Sequence, residues 1–252
     1  MGKFSGVLLA SDFDDTLYSS DRTVSEENIR AIRYFTGEGG YFTVSTGRAY
    51  ATFSPHVGLV PVNAPVVLSN GSALYDFQAG EMVCQTFLPA RSARDLVELV
   101  RAVPEVGLEA YHGEEIYLYN PNAVTRHHLS YTGVAGVEKP VSEIPQPLSK
   151  VLLEQDRPVL ERARTYILEH WGEYYEAIFS NRVLLEMTCK GSNKGGMVLR
   201  LAGRLEVARE HIYCVGDNEN DIPMLAISRI PFAPANCAQA VKDWGPRLVG
   251  SC

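Results

Sequence analysis

Three carboxylates fall within four positions of Ser11-Asp12-Phe13-Asp14-Asp15-Thr16-Leu17, directly after the apolar run Gly6-Val7-Leu8-Leu9-Ala10. A short continuous apolar run reads as a strand buried on both faces, and in parallel sheets ligands gather beyond the carboxyl ends of such strands. Like charges crowded at a strand end cost stability unless a cation or a shared proton offsets them. Asp12 and Asp14 alternate along an extended backbone, so both can address one ligand, and an oxygen-liganded cation such as Mg2+ suits them. A solvated acidic turn is the plain alternative. A calcium loop counted from Asp12 fails, because Leu17 and Thr23 stand where Gly and Glu are required.

The elements that must position this loop follow from hydrophobic periodicity. Thr23, Ser25 and Glu26 mark a helix start, with Thr23 and Glu26 at capping-box spacing, and Ile29, Ile32 and Phe35 follow at helical intervals until Gly37, Gly39 and Gly40. Residues 41–45 read as a second buried strand ending at Thr46-Gly47-Arg48, and a crossover of this length implies parallel pairing. A helical segment is expected to about His56, then a third buried strand over 65–68 leading into the turn signal Asn70-Gly71 and a hairpin.

From about residue 82 to 187 the texture changes. Helices are expected over 92–103 and 158–171, and strands over 107–120 (broken near Gly113), 150–154, 174–180 and 183–188; several of these alternate, which suits an antiparallel sheet. Residues 82–187 therefore read as an inserted domain, with 1–81 and 188–252 forming the core. The parallel pattern resumes with a helix over 193–202, a strand over 211–215, and a second acidic loop, Gly216-Asp217-Asn218-Glu219-Asn220-Asp221. Small strands over 229–232 and 247–249 flank a helical stretch over 236–244.

With 252 residues, 46% of them hydrophobic, the chain can bury a sizeable core. A net charge of −7 argues against a general nucleic-acid or membrane-surface binder and for small-molecule partners. Five cysteines without Cys-x-x-Cys spacing suggest neither a disulfide framework nor a zinc site. The absence of a leader or spanning segment in the sequence leads us to expect a cytoplasmic protein, for which Asn70-Gly71-Ser72 is a glycosylation pattern in form only.

The Asp12 loop, Thr46, Lys194 and the Asp217 loop occur in this order at strand or helix ends. Asp12-Phe13-Asp14-Asp15-Thr16-Leu17, Ser45-Thr46-Gly47-Arg48, Gly191-Ser192-Asn193-Lys194-Gly195 and the segment from Gly216 to Leu225 resemble the four motifs of the haloacid dehalogenase superfamily of phosphohydrolases, in its Cof-type branch, subfamily IIB. The resemblance implies an α/β fold, a Rossmann-like parallel-sheet core with an inserted α+β cap domain of type C2. It implies Asp12 as nucleophile, Asp14 as acid and base, and Mg2+ held by the Asp12 carboxylate, the Asp14 backbone carbonyl and Asp217. Thr46 and Lys194 would hold phosphate oxygens, while Asn220 and Asp221 would orient the lysine and support the metal.

Other roles stay open at this level. Thr46, Asn220 and Asp221 could simply cap helices, and Lys194 could be a solvated lysine at a helix start. Arg48 is either a phosphate partner or an ordinary ion pair, and Asn70 either a substrate contact or a turn residue. Asp15 stands where relatives often carry Gly. In the family the insertion closes over the leaving group and sets preference; Tyr111, His112, Tyr117, Tyr119 and Asn120 are its candidate pocket residues, although ordinary sheet packing accounts for them as well. His127-His128 lacks a third ligand and reads as surface. The implied activity is hydrolysis of small phosphorylated metabolites, sugar phosphates first, by a monomer or weak homodimer. A phosphomutase of the same superfamily and a non-catalytic phosphate-binding regulator are the alternatives.

Overall fold

The computed structural model describes residues 2–113 and 115–252. The polypeptide divides into two compact units, one formed by Met1–Gln85 with Asn193–Cys252 and the other by Thr86–Ser192. In chain order, the first unit begins with β1 (Leu8–Ser11), α1 (Glu26–Gly37), β2 (Tyr41–Val44), α2 (Tyr50–Phe53), β3 (Val66–Leu68), β4 (Ala73–Asp76) and β5 (Glu81–Gln85). The second contains α3 (Ser92–Ala102), β6 (Gly107–His112), β7 (Glu115–Tyr119), α4 (Ala123–Thr132), β8 (Val137–Glu138), β9 (Lys150–Glu154), α5 (Arg157–Trp171), β10 (Tyr175–Asn181) and β11 (Leu184–Cys189). The first unit then resumes with α6 (Lys194–Arg204), β12 (Ile212–Val215), α7 (Ile222–Leu225), β13 (Pro231–Pro234), α8 (Gln239–Trp244) and β14 (Arg247–Val249).

The core sheet is wholly parallel in the order β14-β13-β12-β1-β2, with Leu8 opposite both Ile212 and Tyr41. Successive strand residues point to opposite faces, so both faces need cover. Leu8 and Ala10 pack with Met197, Val198 and Leu201 of α6 and Met224 and Leu225 of α7, whereas Leu9 joins Ile32, Phe42 and Val44 on the α1 side. Burial on both sides is why β1 reads as an unbroken apolar run, and its place between β12 and β2 brings Asp12 out at the carboxyl edge beside the loops that follow those two strands.

Three local expectations are revised. The N-cap of α1 is Ser25, whose hydroxyl accepts the Asn28 N–H at 3.2 Å. Thr23 instead accompanies Asp21 in the preceding turn, its hydroxyl donating at 2.8 Å. The third buried strand is not a full member of the parallel sheet: β3 pairs antiparallel with β4, which pairs with β5, and touches the parallel sheet through a single Ser45–Val67 bridge. The segment toward His56 keeps only one α-turn before tightening into a 3-10 helix over Ser54–Leu59.

The inserted unit is an α+β layer built on a six-stranded sheet, order β10-β11-β9-β6-β7-β8, antiparallel except for β7–β8. One face carries Leu108, Ala110, Val151, Leu153, Leu185 and Met187 against α3 and α5. The opposite face carries Tyr111, Leu152 and Leu184, with Val124 and Leu129 of α4 packed on them. A Rossmann-like parallel core interrupted by an α+β insertion of the C2 cap type is thus the architecture of this chain.

Candidate active site

Asp12 is the first residue past β1, fixed by its N–H donating to the Val215 carbonyl at 2.9 Å, and it is buried. Lys194 opens α6, where the Asn193 side chain caps the helix by accepting the Gly196 N–H at 2.9 Å. Its stem is buried to 1% exposure, and Nζ donates to Asp12 Oδ1 and Asp221 Oδ1, both at 2.6 Å. Asp221 is completely satisfied: its other oxygen accepts the N–H groups of Asp217 and Asn218 at 2.9 and 3.0 Å. Thr16 donates its hydroxyl to Asp217 Oδ1 at 3.1 Å, so the threonine of the first motif orients the acid of the second loop, a partner 201 positions away that local sequence does not reveal.

Carboxylate oxygens of Asp12, Asp217 and Asp221 lie within 4.8 Å of one another. Burial raises the Asp12 carboxyl well above its ordinary range, with the Asp221 charge adding to this and Lys194 opposing it. Burial, then Asp221, pushes Asp217 to about 6, again against Lys194. Burial disfavours the Lys194 ammonium, yet the charges of Asp12 and Asp221 outweigh it and hold the amine above its usual value. One cation therefore faces three carboxylates. Lys194 occupies one oxygen each of Asp12 and Asp221, and backbone amides occupy the other oxygen of Asp221, so Asp12 and Asp217 are the carboxylates with coordinating capacity left. This donor set fits a hard divalent cation, which would cancel the excess charge.

Thr46 follows β2. Its amide donates to Val67 O at 2.9 Å, its carbonyl accepts the Asn70 N–H at 3.0 Å, and its hydroxyl oxygen accepts the Arg48 N–H at 3.1 Å, leaving the hydroxyl proton for another acceptor. Asn70 is buried in the left-handed region at φ +52°, and its Oδ1 accepts the Asn220 side-chain N–H at 2.9 Å. The Asn70 Nδ2 donor is buried without a partner, as expected of a group awaiting an anionic ligand. Arg48 grips Asp14 with both arms, Nε to Oδ2 at 2.8 Å and Nη2 to Oδ1 at 2.6 Å, while its guanidinium lies 5.5 Å from the Phe13 ring centre. Asp15 is exposed at φ +60°, a backbone that Gly adopts freely and Asp tolerates.

Two glycines hold the site together. An added Cβ on Gly195 would sit 2.1 Å from the Pro223 carbonyl oxygen, and one on Gly71, at φ +95°, 2.2 Å from the Asn193 carbonyl oxygen. The first contact seats α6 against α7, and hence Lys194 against Asp221. Gly195→Ala is expected to destabilise the fold by about 1–3 kcal/mol through overpacking and to disturb the seating of Lys194, measured by thermal unfolding and by catalytic rate at a temperature where the variant is folded.

The aromatic candidates of the insertion do not share one surface. Tyr117 packs with the helix-covered core and Tyr111 on the opposite face, where its hydroxyl donates to Glu109 at 2.7 Å. His112 Nδ1 is 2.8 Å from the Pro147 carbonyl oxygen, and Asn120 donates to the Val106 carbonyl at 3.1 Å.

A parallel sheet that delivers two acidic loops, a buried lysine and a threonine to one edge defines a phosphohydrolase of the aspartyl-phosphate type. The family model of haloacid dehalogenase-like hydrolases matches residues 9–248, and the chain belongs to that family, as a Cof-type phosphatase of subfamily IIB. Among curated proteins it is 26% identical to the 5-amino-6-(5-phospho-D-ribitylamino)uracil phosphatase YitU of Bacillus subtilis, over 97% of this chain and 92% of that protein. It is 23% identical to the pyridoxal phosphate phosphatase YbhA of Escherichia coli, over 96% and 93% of the two chains. Among solved structures, the phosphatase BT1666 from Bacteroides thetaiotaomicron superposes with a TM-score of 0.83 at 20% identity, covering 99% of this chain and 91% of that one. The relatives' named substrates differ, and all are small phosphorylated molecules. Among the described residues, no helix is long and apolar enough to cross a membrane.

Proposed function

We propose that this protein is a Mg2+-dependent phosphatase of small phosphorylated metabolites, with sugar and polyol phosphates as its preferred class. The observation that carries this reading is the Lys194 ammonium bonded at 2.6 Å to both Asp12 and Asp221, which leaves Asp12 buried, oriented and partly screened at the end of β1. Mg2+ held by Asp12, the Asp14 backbone carbonyl and Asp217 would neutralise the anionic oxygens of the substrate.

An Asp12 oxygen attacks phosphorus, the ester P–O bond breaks, and Asp14 supplies a proton to the departing alkoxide. Asp14 then takes a proton from water, whose oxygen attacks phosphorus; the bond to Asp12 breaks and inorganic phosphate leaves. Lys194 and the Thr46 hydroxyl hold phosphoryl oxygens, with the free Asn70 donor as a further contact. Arg48, in its bidentate pairing, holds Asp14 until a leaving group competes for it. Asn220 orients Asn70, and Asp221 orients Lys194. We assign the inserted unit, Thr86–Ser192, to substrate selection, and we place the enzyme in the cytoplasm as a monomer or weak homodimer. The polyol preference draws on the phosphoribityl group in the name of the Bacillus subtilis relative.

A panel of phosphorylated metabolites, assayed with Mg2+ and with chelator, tests the proposal. Release of inorganic phosphate from sugar or polyol phosphates, lost on chelation, is the expected outcome; transfer to a second substrate hydroxyl in place of water would point to a mutase. Asp14→Asn is expected to lower kcat by about 10²–10⁴-fold for alkyl phosphates and far less for aryl phosphates, whose leaving groups need no proton. Equal losses for both would remove Asp14 from the acid role.

A further inference from the structure

The inserted unit contains a second cluster of ionisable side chains that phosphoryl transfer does not use. Glu109 of β6 and Glu154 of β9 are completely buried on the sheet face that α4 packs on, and His128 of α4 reaches them with its side chain 19% exposed. His128 Nδ1 lies 2.9 Å from Glu109 Oε1 and 3.6 Å from Glu154 Oε1, and ligand atoms of all three residues fall within 4.8 Å of one another. The other Glu109 oxygen accepts the Tyr111 hydroxyl at 2.7 Å. Lys150, the cation on the same sheet face, is engaged by Glu186 at 3.2 Å and lies 4.6 Å from the Tyr111 ring centre.

Glu154 is the anomaly. Both of its oxygens are buried and neither meets a hydrogen-bond partner in good geometry, although Thr125 and Glu109 are close enough to act on its proton. Leaving a buried carboxyl unsatisfied costs more than a typical hydrogen bond returns, so such a group calls for an explanation. An ion pair with His128 accounts for Glu109 but places Glu154 beyond bonding distance of the same nitrogen.

We propose that Glu109, His128 and Glu154 form a second metal site, within the inserted unit, for a first-row divalent ion, Zn2+ fitting best. Two carboxylates and one imidazole match the oxygen and nitrogen donors that Zn2+ takes, and the nitrogen donor selects against Mg2+ and Ca2+. Tetrahedral bonds of about 2.0–2.2 Å place neighbouring ligand atoms roughly 3.3–3.6 Å apart; the 3.6 Å separation fits this, and the 2.9 Å separation would open by a few tenths of an ångström on binding. Burial and the neighbouring Glu109 push the Glu154 carboxyl up to about 8, so a divalent ion binding here would displace that proton and take the two carboxylates and the imidazole as ligands. The Tyr111 hydroxyl supplies the outer hydrogen bond that fixes a ligand carboxylate, and the part-exposed edge of His128 gives a route from solvent. Bound there, the ion ties α4 to β6 and β9. Sequence spacing concealed this: His127-His128 has no third ligand nearby in the chain, and the fold supplies two from separate strands.

The test uses the full-length chain, stripped of metal and then dialysed against micromolar Zn2+ in excess Mg2+, with bound zinc read by elemental analysis and melting temperature in parallel. Wild type is expected to retain one zinc and to gain in melting temperature. His128→Ala and the isosteric Glu154→Gln are expected to bind at least about tenfold more weakly and to lose the thermal gain, whereas Asp217→Asn, altered only in the catalytic cluster, keeps both. Co2+ in place of Zn2+ should give visible d–d bands that vanish in His128→Ala. No zinc retained by wild type, or equal zinc content and thermal gain in wild type and in both His128→Ala and Glu154→Gln, overturns the proposal, and either result leaves the reading of the Asp12 site intact.

Discussion

Asp12→Asn is expected to abolish turnover while leaving the fold in place, the largest kinetic effect of any single substitution in this chain. The amide occupies the volume of the carboxylate and can still accept from Lys194, but it offers no anionic oxygen to attack phosphorus. Loss of a covalent nucleophile removes the whole pathway through the aspartyl-phosphate, so kcat should fall by about 10⁴-fold or more. The same change removes one of three carboxylates crowded within 4.8 Å, so stability should hold or rise. Raised melting temperature with extinguished activity is a signature that general damage does not produce. Steady-state assay with an aryl phosphate, thermal unfolding, and a single-turnover search for phosphate on the protein check it together. Turnover within tenfold of wild type, or a phosphorylated Asn variant, would remove Asp12 from the nucleophile role.

Much of this site was legible because its residues sit where strands and helices begin or end, and those boundaries are written locally. β1 is an apolar run stopped by acids, β9 falls on residues 150–154 as periodicity indicates, and α6 begins where Asn193 can cap it. What could not be read depends on partners distant in the chain. Nothing in residues 65–68 says that β3 turns to β4 and touches the core sheet at one bridge, since a short apolar run fits either arrangement. Thr23 and Ser25 both carry capping hydroxyls, and the competing turn around Asp21 decided between them. The pairing of Arg48 with Asp14 crosses 34 positions, and that of Asn220 with Asn70 crosses 150. The left-handed backbone at Asp15 explains an acid that charge alone left without a reason.

Lys194→Met is the second large effect, and it joins catalysis to stability. Met keeps most of the buried stem and removes the ammonium that bonds Asp12 and Asp221, stranding two buried carboxyls. Breaking a buried pair by removing one partner costs about 3–5 kcal/mol, more than most substitutions. The loss depends on pH with a definite sign. Burial already raises the Asp12 carboxyl above its unfolded value even with Lys194 present, and without the lysine it rises further. A carboxyl whose folded pKa exceeds its unfolded one keeps its stability below the unfolded pKa, near 4, and loses it as pH climbs through the folded value. In chelator, the gap between variant and wild type should therefore be small near pH 5 and wide near pH 8, as read by denaturant unfolding. Mg2+ at pH 8 should narrow that gap by neutralising the stranded carboxylates, yet turnover should stay depressed by about 10²-fold or more, because Mg2+ does not replace the ammonium that shares the phosphoryl oxygens with it. A deficit that is independent of pH, or a variant that Mg2+ restores to full activity, would show that Lys194 serves packing and not charge.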